Sequence, residues 1–176
     1  MGCLRAIVTV SVLLALGASA QGQSTPLNSG GYTQNFDSMG TTGTTPPTGW
    51  SVWTLPGSNG TWTSTIPASG VGAGTQVVPT GSLGIFNQNA GTPVNGSANN
   101  NGLNLGFTAS PTDRALGSSP TTVAGNALQL ALQNQTGGAI TELTIGYAAK
   151  VGSAWQNNEL PGYRVFVSTT GTAGPF

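Results

Sequence analysis

The chain has 176 residues, a formal net charge of zero and 5% charged residues, against roughly 25% in ordinary soluble domains. So sparse a charge set excludes nucleic acid as a partner, because a few scattered cations cannot neutralise a run of phosphates. No His and one Cys, Cys3, exclude imidazole metal sites, a disulfide framework and the usual His-activated nucleophile pairs.

Residues 1–20 read as a signal peptide. Arg5 supplies the positive charge, Ala6 to Gly17 is an uncharged apolar run, and Ala18-Ser19-Ala20 offers small residues at the two positions a signal peptidase reads. Ala18 and Ala20 therefore mark cleavage after position 20. The run of about 12 residues is too short to span a bilayer. Cys3 precedes it, which rules out a lipoprotein box, and Ala6 stands where myristoylation needs Ser or Thr. The expected address is secreted or cell surface, with no membrane span in the mature chain. After cleavage the cations are Arg114, Lys150 and Arg164, the acids are Asp37, Asp113, Glu142 and Glu159, and no Cys remains. Core packing alone then has to hold the domain.

Residues 21–31 are polar and read as a loose N-terminal segment; residues 32–176 read as one domain. Tyr32 to Phe36 suggests a first strand with Tyr32 and Phe36 on one face. A Thr/Gly/Pro stretch follows, and then Trp50 to Trp53, with Trp50 and Val52 on one side and Trp53 on the other. Thr61 to Ile66 alternates, and Val77-Val78 and Gly84 to Phe86 are short strand signals. Leu103 to Phe107 alternates with Leu103, Leu105 and Phe107 inward. Ala127 to Gln133 does so with Leu128, Leu130 and Leu132. Ile140 to Tyr147 returns after an Asn-Gln-Thr-Gly-Gly turn, and Tyr163 to Val167 is the last strand signal. Nothing after residue 20 shows a capped 3.6-residue period. Many short period-2 segments divided by Gly, Pro and Asn indicate an all-β fold, a jelly-roll-like antiparallel β-sandwich. The chain stops soon after a strong strand, which reads as a sandwich incomplete at its C-terminus and part of a longer product.

Asp113-Arg114-Ala115-Leu116-Gly117-Ser118, then Asn134-Gln135-Thr136-Gly137, then Ile140-Thr141-Glu142-Leu143-Thr144-Ile145-Gly146-Tyr147 resemble a family of exported bacterial surface and secreted proteins. That family carries "DRALG", "N-x-T-G" and "I-T-x-L-x-I-x-Y" in this order. Phe36-Asp37-Ser38-Met39-Gly40 and Pro47-Thr48-Gly49-Trp50 resemble its opening. The resemblance implies a jelly-roll-like sandwich at the head of larger, often multidomain proteins; the family's own activity is poorly defined, so it carries no catalytic residue over to this chain. Here the stretch after Tyr147 keeps the family's Trp, as Trp155, but loses its charges.

Asp113 and Arg114 are adjacent and, in an extended segment, point to opposite faces. Each either fixes a loop, with Glu142 or Glu159 as a distant partner for Arg114, or lines a polar groove for a sugar hydroxyl or a cation. Of Trp50, Trp53, Trp62 and Trp155, Trp53 and Trp155 suit stacking on a sugar ring and the others suit a core. The ligand-binding set read from the sequence is thus Trp53, Trp155, Asp113 and Arg114. Glu142 and Glu159 form no recognisable acid and nucleophile pair. Four carboxylates permit at most one weak structural calcium site, and no other cofactor is expected. The Thr61, Thr63 and Thr65 ladder is plain β propensity, and the three glycosylation triplets are what an Asn/Gly/Thr-rich chain produces by chance. The expectation is a non-enzymatic extracellular module, structural or adhesive, with polysaccharide or another cell-surface component as partner. The alternative is an accessory domain of a larger secreted hydrolase, a nuclease or glycosidase.

Overall fold

The computed structural model describes residues 4–10, 23–55, 75–78, 80–88, 102–118, 125–149 and 165–169. Trp62, Trp155, Glu159, Ala18 and Ala20, and the strand expected at 61–66, lie outside them. The described chain is all-β. Its strands are β1 (Leu4–Val10), β2 (Thr25–Leu27), β3 (Trp50–Leu55), β4 (Thr75–Val78), β5 (Gly84–Gln88), β6 (Gly102–Phe107), β7 (Ser110–Ser118), β8 (Gly125–Leu130), β9 (Leu132–Asn134) and β10 (Leu143–Ala149). One 3-10 turn, Asp37–Met39, is the only helical element among the described residues.

Four small sheets result, ordered β4-β3-β8, β5-β6-β7, β2-β9 and β1-β10. Most pairings are antiparallel, as expected. However, β2 runs parallel to β9 and β5 parallel to β6. These parallel pairs join segments distant in sequence, which no local alternation can announce.

Ala131 explains why one expected strand became two. Its N–H donates to the carbonyl of Gly49 at 2.8 Å, beside β3, and its carbonyl accepts from the N–H of Thr25 at 2.9 Å, in β2. At this residue the chain leaves the β3 ladder and joins β2. The crossing is tight: a Cβ on Gly49 would lie 3.0 Å from the Ala131 carbonyl and 3.1 Å from Thr25, at a φ of +86° that suits glycine. Residues 21–31, expected to be loose, thus contain a paired strand, β2, and a tight Asn28–Gly31 bridge.

The core gathers Met39, Val52, Val78, Leu83 and Leu116, with Phe36, Trp50 and Val77 packed against it. Phe36 and Trp50 meet edge to face, 4.9 Å between ring centres, a geometry that adds roughly 0.5–1.5 kcal/mol to area burial. Trp50 and Val52 share the core side, as their spacing indicated. Tyr32 to Phe36 is not a ladder strand, although Tyr32, Gln34 and Phe36 do alternate inward. Turn chemistry takes over its backbone: Phe36 N–H donates to Gln34 Oε1 at 2.7 Å and Asp37 N–H to Asn35 Oδ1 at 3.1 Å. Phe36 takes a left-handed φ of 69°, held by that bond and by Trp50.

Two one-sided readings of strands also change. In β6 the expected polar face is buried: Asn104 and Leu103 are both fully shielded. In β8, Leu128 is 37% exposed although it pairs with the fully buried Val52. β8 is the outer strand of its sheet and β3 the central one, so position across the sheet outweighs facing. β10 keeps its alternation, with Leu143, Ile145, Tyr147 and Ala149 half-buried and the residues between exposed. Val165 to Val167, the described part of the last strand expected at Tyr163–Val167, lies in no strand ladder. β1 falls inside the apolar segment read as a leader, and its backbone pairs antiparallel with β10 from Leu4↔Ala149 to Val10↔Leu143.

Candidate functional site

Arg114 lies on β7, whose burial pattern exposes Asp113 and buries Arg114, as the opposite-face argument requires. The residue is 2% exposed, and its guanidinium is spent inside the protein. Nε donates to Asn104 Oδ1 at 2.7 Å, Nη2 to the Asn104 carbonyl at 2.7 Å, and Nη1 to Asn87 Oδ1 at 2.7 Å and the Pro111 carbonyl at 3.0 Å. Asn104 Nδ2 in turn donates to the carbonyls of Gly40 and Gly43 at 2.9 and 2.8 Å. Asp37 Oδ1 accepts the backbone N–H of Arg114 at 2.8 Å. The knot ties β5, β6 and β7 to the Asp37–Gly43 turn.

Among the described residues Glu142 is not bonded to Arg114, and Glu159 lies outside them; amide and carbonyl oxygens receive the guanidinium instead. Burial lowers the guanidinium pKa from its ordinary value by desolvation, yet an arginine so placed remains charged at neutral pH. The fork geometry explains the choice of residue: one planar cation reaches three strand positions that a point charge could not. Gly106 completes the fit, because a Cβ there would collide with Nη1 and lie 2.8 Å from Cζ. With four of its five side-chain N–H groups engaged and its surface covered, Arg114 is a fold-holding residue and not a ligand contact. Asp113 is exposed and has its own interaction.

Trp53 is half-buried on the side of β3 away from the core. Its Nε1 donates to Ser51 Oγ at 2.9 Å, and Ser51 Oγ donates to Gln129 Oε1 across the sheet at 3.2 Å. The indole N–H is thus engaged, and part of its ring remains accessible. The sequence-derived set is therefore not one constellation. Arg114 is interior, Asp113 is on the outer side of β7, and Trp53 is in another sheet.

A shallow concavity among the described residues lies elsewhere. A groove of about 340 Å³ is lined by Leu27, Asn28 and Ser29 at the end of β2 and by Thr136 and Ala139–Leu143 leading into β10. The Asn-x-Thr-Gly turn shapes its rim. Asn134 Oδ1 accepts from Thr136 N at 3.0 Å and Thr136 Oγ1 at 2.8 Å, while Asn134 Nδ2 donates to the Gly138 carbonyl at 2.7 Å. These bonds also occupy the amide of one of the three glycosylation triplets. Glu142 is exposed in the groove and has no bonded partner among the described residues. One carboxylate, one amide and several hydroxyls beside Leu27, Ile140 and Leu143 can bind a polyol by hydrogen bonds and apolar contact. They hold no acid and base pair. Among the described residues no cluster of metal-ligating side chains occurs, and no helix is long and apolar enough to cross a membrane.

Sequence reasoning found Glu142 but placed it in no site, and it missed Asn28, Ser29 and Thr136. The Asn-x-Thr-Gly turn was the available signal. It missed Asn104 as well, whose signal was a lone amide between two leucines of a strand. No protein-family model, no curated protein and no solved structure matches this chain.

Proposed function

We propose that the chain is an exported, non-enzymatic β module of the extracellular space or cell surface, adhesive or structural, which takes a carbohydrate in the groove at Glu142. The observation that carries this reading is the contrast between its polar groups. The Arg114 cluster, the most chemically distinctive in the sequence, is consumed by the fold. The groove instead presents a carboxylate and hydroxyls to solvent, and its size lies at the small end of the roughly 300–1,000 Å³ range of ligand sites. A sugar ring offers what such a lining recognises: hydroxyls for Glu142, Thr141 and Asn28, and a C–H face for Ile140 and Leu27. The low charge of the chain fits a surface coated by Thr, Ser, Asn and Gly.

The test is a glycan array probed with the exported protein, followed by titration of the best polysaccharide. Binding that weakens about 10-fold in Glu142→Gln, the loss of one charge-assisted hydrogen bond, is the expected result. An array without signal above background overturns the carbohydrate reading. Unchanged affinity in Glu142→Gln moves the site away from the groove.

A further inference from the structure

We propose that, once the leader is removed, two copies of the chain join edge to edge through β10, paired antiparallel about Gly146; this rests on the export reading above. β10 is a seven-residue strand with regular alternation, and among the described strands its only partner is β1. Every residue of β10 is in register with β1. Cleavage after Ala20 takes that partner away and bares a row of backbone N–H and C=O groups. Protected edges carry a charge, a Pro or a bulge. β10, Leu-Thr-Ile-Gly-Tyr-Ala-Ala, has no charge and no Pro, and its ladder with β1 runs without a register shift.

A second copy suits this edge because the segment is complementary to itself. In antiparallel pairing, opposed residues share a face. A two-fold axis at Gly146 therefore sets Leu143 against Ala149, Thr144 against Ala148 and Ile145 against Tyr147 of the second copy. Half-buried residues then meet half-buried ones, and exposed residues meet exposed ones. The charges fit the same axis. Glu142 and Lys150 bracket β10, each four residues from Gly146, in a chain with only 5% charged residues. The pairing sets Glu142 of each copy opposite Lys150 of the other, once at each end. A one-residue slip sets half-buried residues against exposed ones. A two-residue slip breaks both charge pairs and shortens the ladder. Exposed ion pairs contribute little strength but fix register. Gly146 brings no side chain to the axis, and a Cβ there would meet nothing within 4 Å, so the approach is open.

The experiment measures self-association of the exported protein by analytical ultracentrifugation, with leader removal checked by mass. The full-length chain retained in the cytoplasm is the comparison. The expected result is a dimer after cleavage and a monomer before it. Mild oxidation then reads the register, since Cys3 leaves with the leader and the exported chain has no other thiol. Gly146→Cys places two thiols on the axis, at a Cα separation of about 4.5–5.5 Å that a disulfide spans. It should cross-link at least about 10-fold more than Ala148→Cys, whose two copies lie ~14 Å apart. Glu142→Lys opposes lysines at both ends and should weaken the dimer about 10-fold. Adding Lys150→Glu restores the pairs and should bring it back to within about 3-fold of the original. Cleaved protein that stays monomeric overturns the pairing and leaves the export reading standing. A full-length chain that dimerises equally, an Ala148→Cys variant that cross-links as well as Gly146→Cys, or a double charge reversal that restores nothing places the contact on another surface or register and overturns it too. Exported protein that still carries residues 1–20 overturns the export reading, and the pairing with it.

Discussion

Two shielded amides on strands of different sheets behave in opposite ways. Asn104, on β6, is fully shielded. It accepts from Arg114 through both its side-chain and backbone oxygens, and its Nδ2 donates to two carbonyls. Asn126, on β8, has its Nδ2 and Oδ1 shielded from solvent with no hydrogen-bond partner for either among the described residues. The β5-β6-β7 sheet is thus fastened by a satisfied polar knot, whereas the β4-β3-β8 sheet depends on Val52, Val78 and the aromatic pair and tolerates an unsatisfied amide. A buried polar group strengthens a fold only when its bonds are made; otherwise it costs the desolvation it cannot recover.

The strongest way to break the comparison is Arg114→Ala. It strands the oxygens of Asn104, Asn87 and Pro111 and empties the space of the guanidinium. A loss of about 3–5 kcal/mol is expected in denaturant unfolding. Arg114→Lys keeps the charge but not the fork, and should recover less than half of that loss. A loss under about 1 kcal/mol for the alanine variant would show that the knot is dispensable. Gly106→Ala attacks the same knot from outside, since its methyl group collides with the guanidinium. About 2–4 kcal/mol should be lost, and that loss should shrink in the Arg114→Ala background, because the two changes share one site. Full additivity in that double-mutant cycle would contradict the contact.

Asn126→Leu probes the other sheet and carries the opposite sign. Replacing an unsatisfied buried amide with an apolar side chain of similar volume should stabilise the protein by about 1 kcal/mol, seen as a higher unfolding midpoint at unchanged slope. The same change at Asn104 should cost several times as much, about 3 kcal/mol, because it also unbonds Arg114. The smallest effect belongs to the groove. Glu142→Gln should leave stability within about 0.5 kcal/mol, as the exposed carboxylate bonds to no described residue. A thermal shift well outside that range would make Glu142 a structural residue and remove it from the proposed site.

How much of this could be read from the chain varies by element. β10 and the Trp50/Val52 side of β3 were legible because alternation alone defines a half-buried strand. β7 was quoted as a motif and not recognised as a strand: Ser110–Asp113 is exposed and lacks apolar alternation. Tyr32 to Phe36 has the pattern of a strand, but its Gln and Asn side chains captured the backbone first. Leu128 has the pattern of a core residue but sits on an outer strand. For Arg114, local spacing correctly gave opposite faces for it and Asp113. It could not say which face would be covered, and so the arginine entered the ligand-binding set.

The sequence by itself determined the class of the described chain, all-β, because period-2 alternation between Gly, Pro and Asn turns is a local property that survives in any tertiary arrangement. It also determined that Asp113 and Arg114 diverge. Tertiary structure alone decided that β2 pairs in parallel with β9 and β5 with β6, that Ala131 passes the chain from one sheet to another, and that Asn104 and Asn87, 10 and 27 residues from Arg114, complete its bonding. It also decided that the open polar groove forms where the end of β2 meets the approach to β10. These are contacts between different strands and turns, most of them far apart in sequence. They depend on which surfaces are covered once the strands have packed, and residue spacing along one strand holds no record of that.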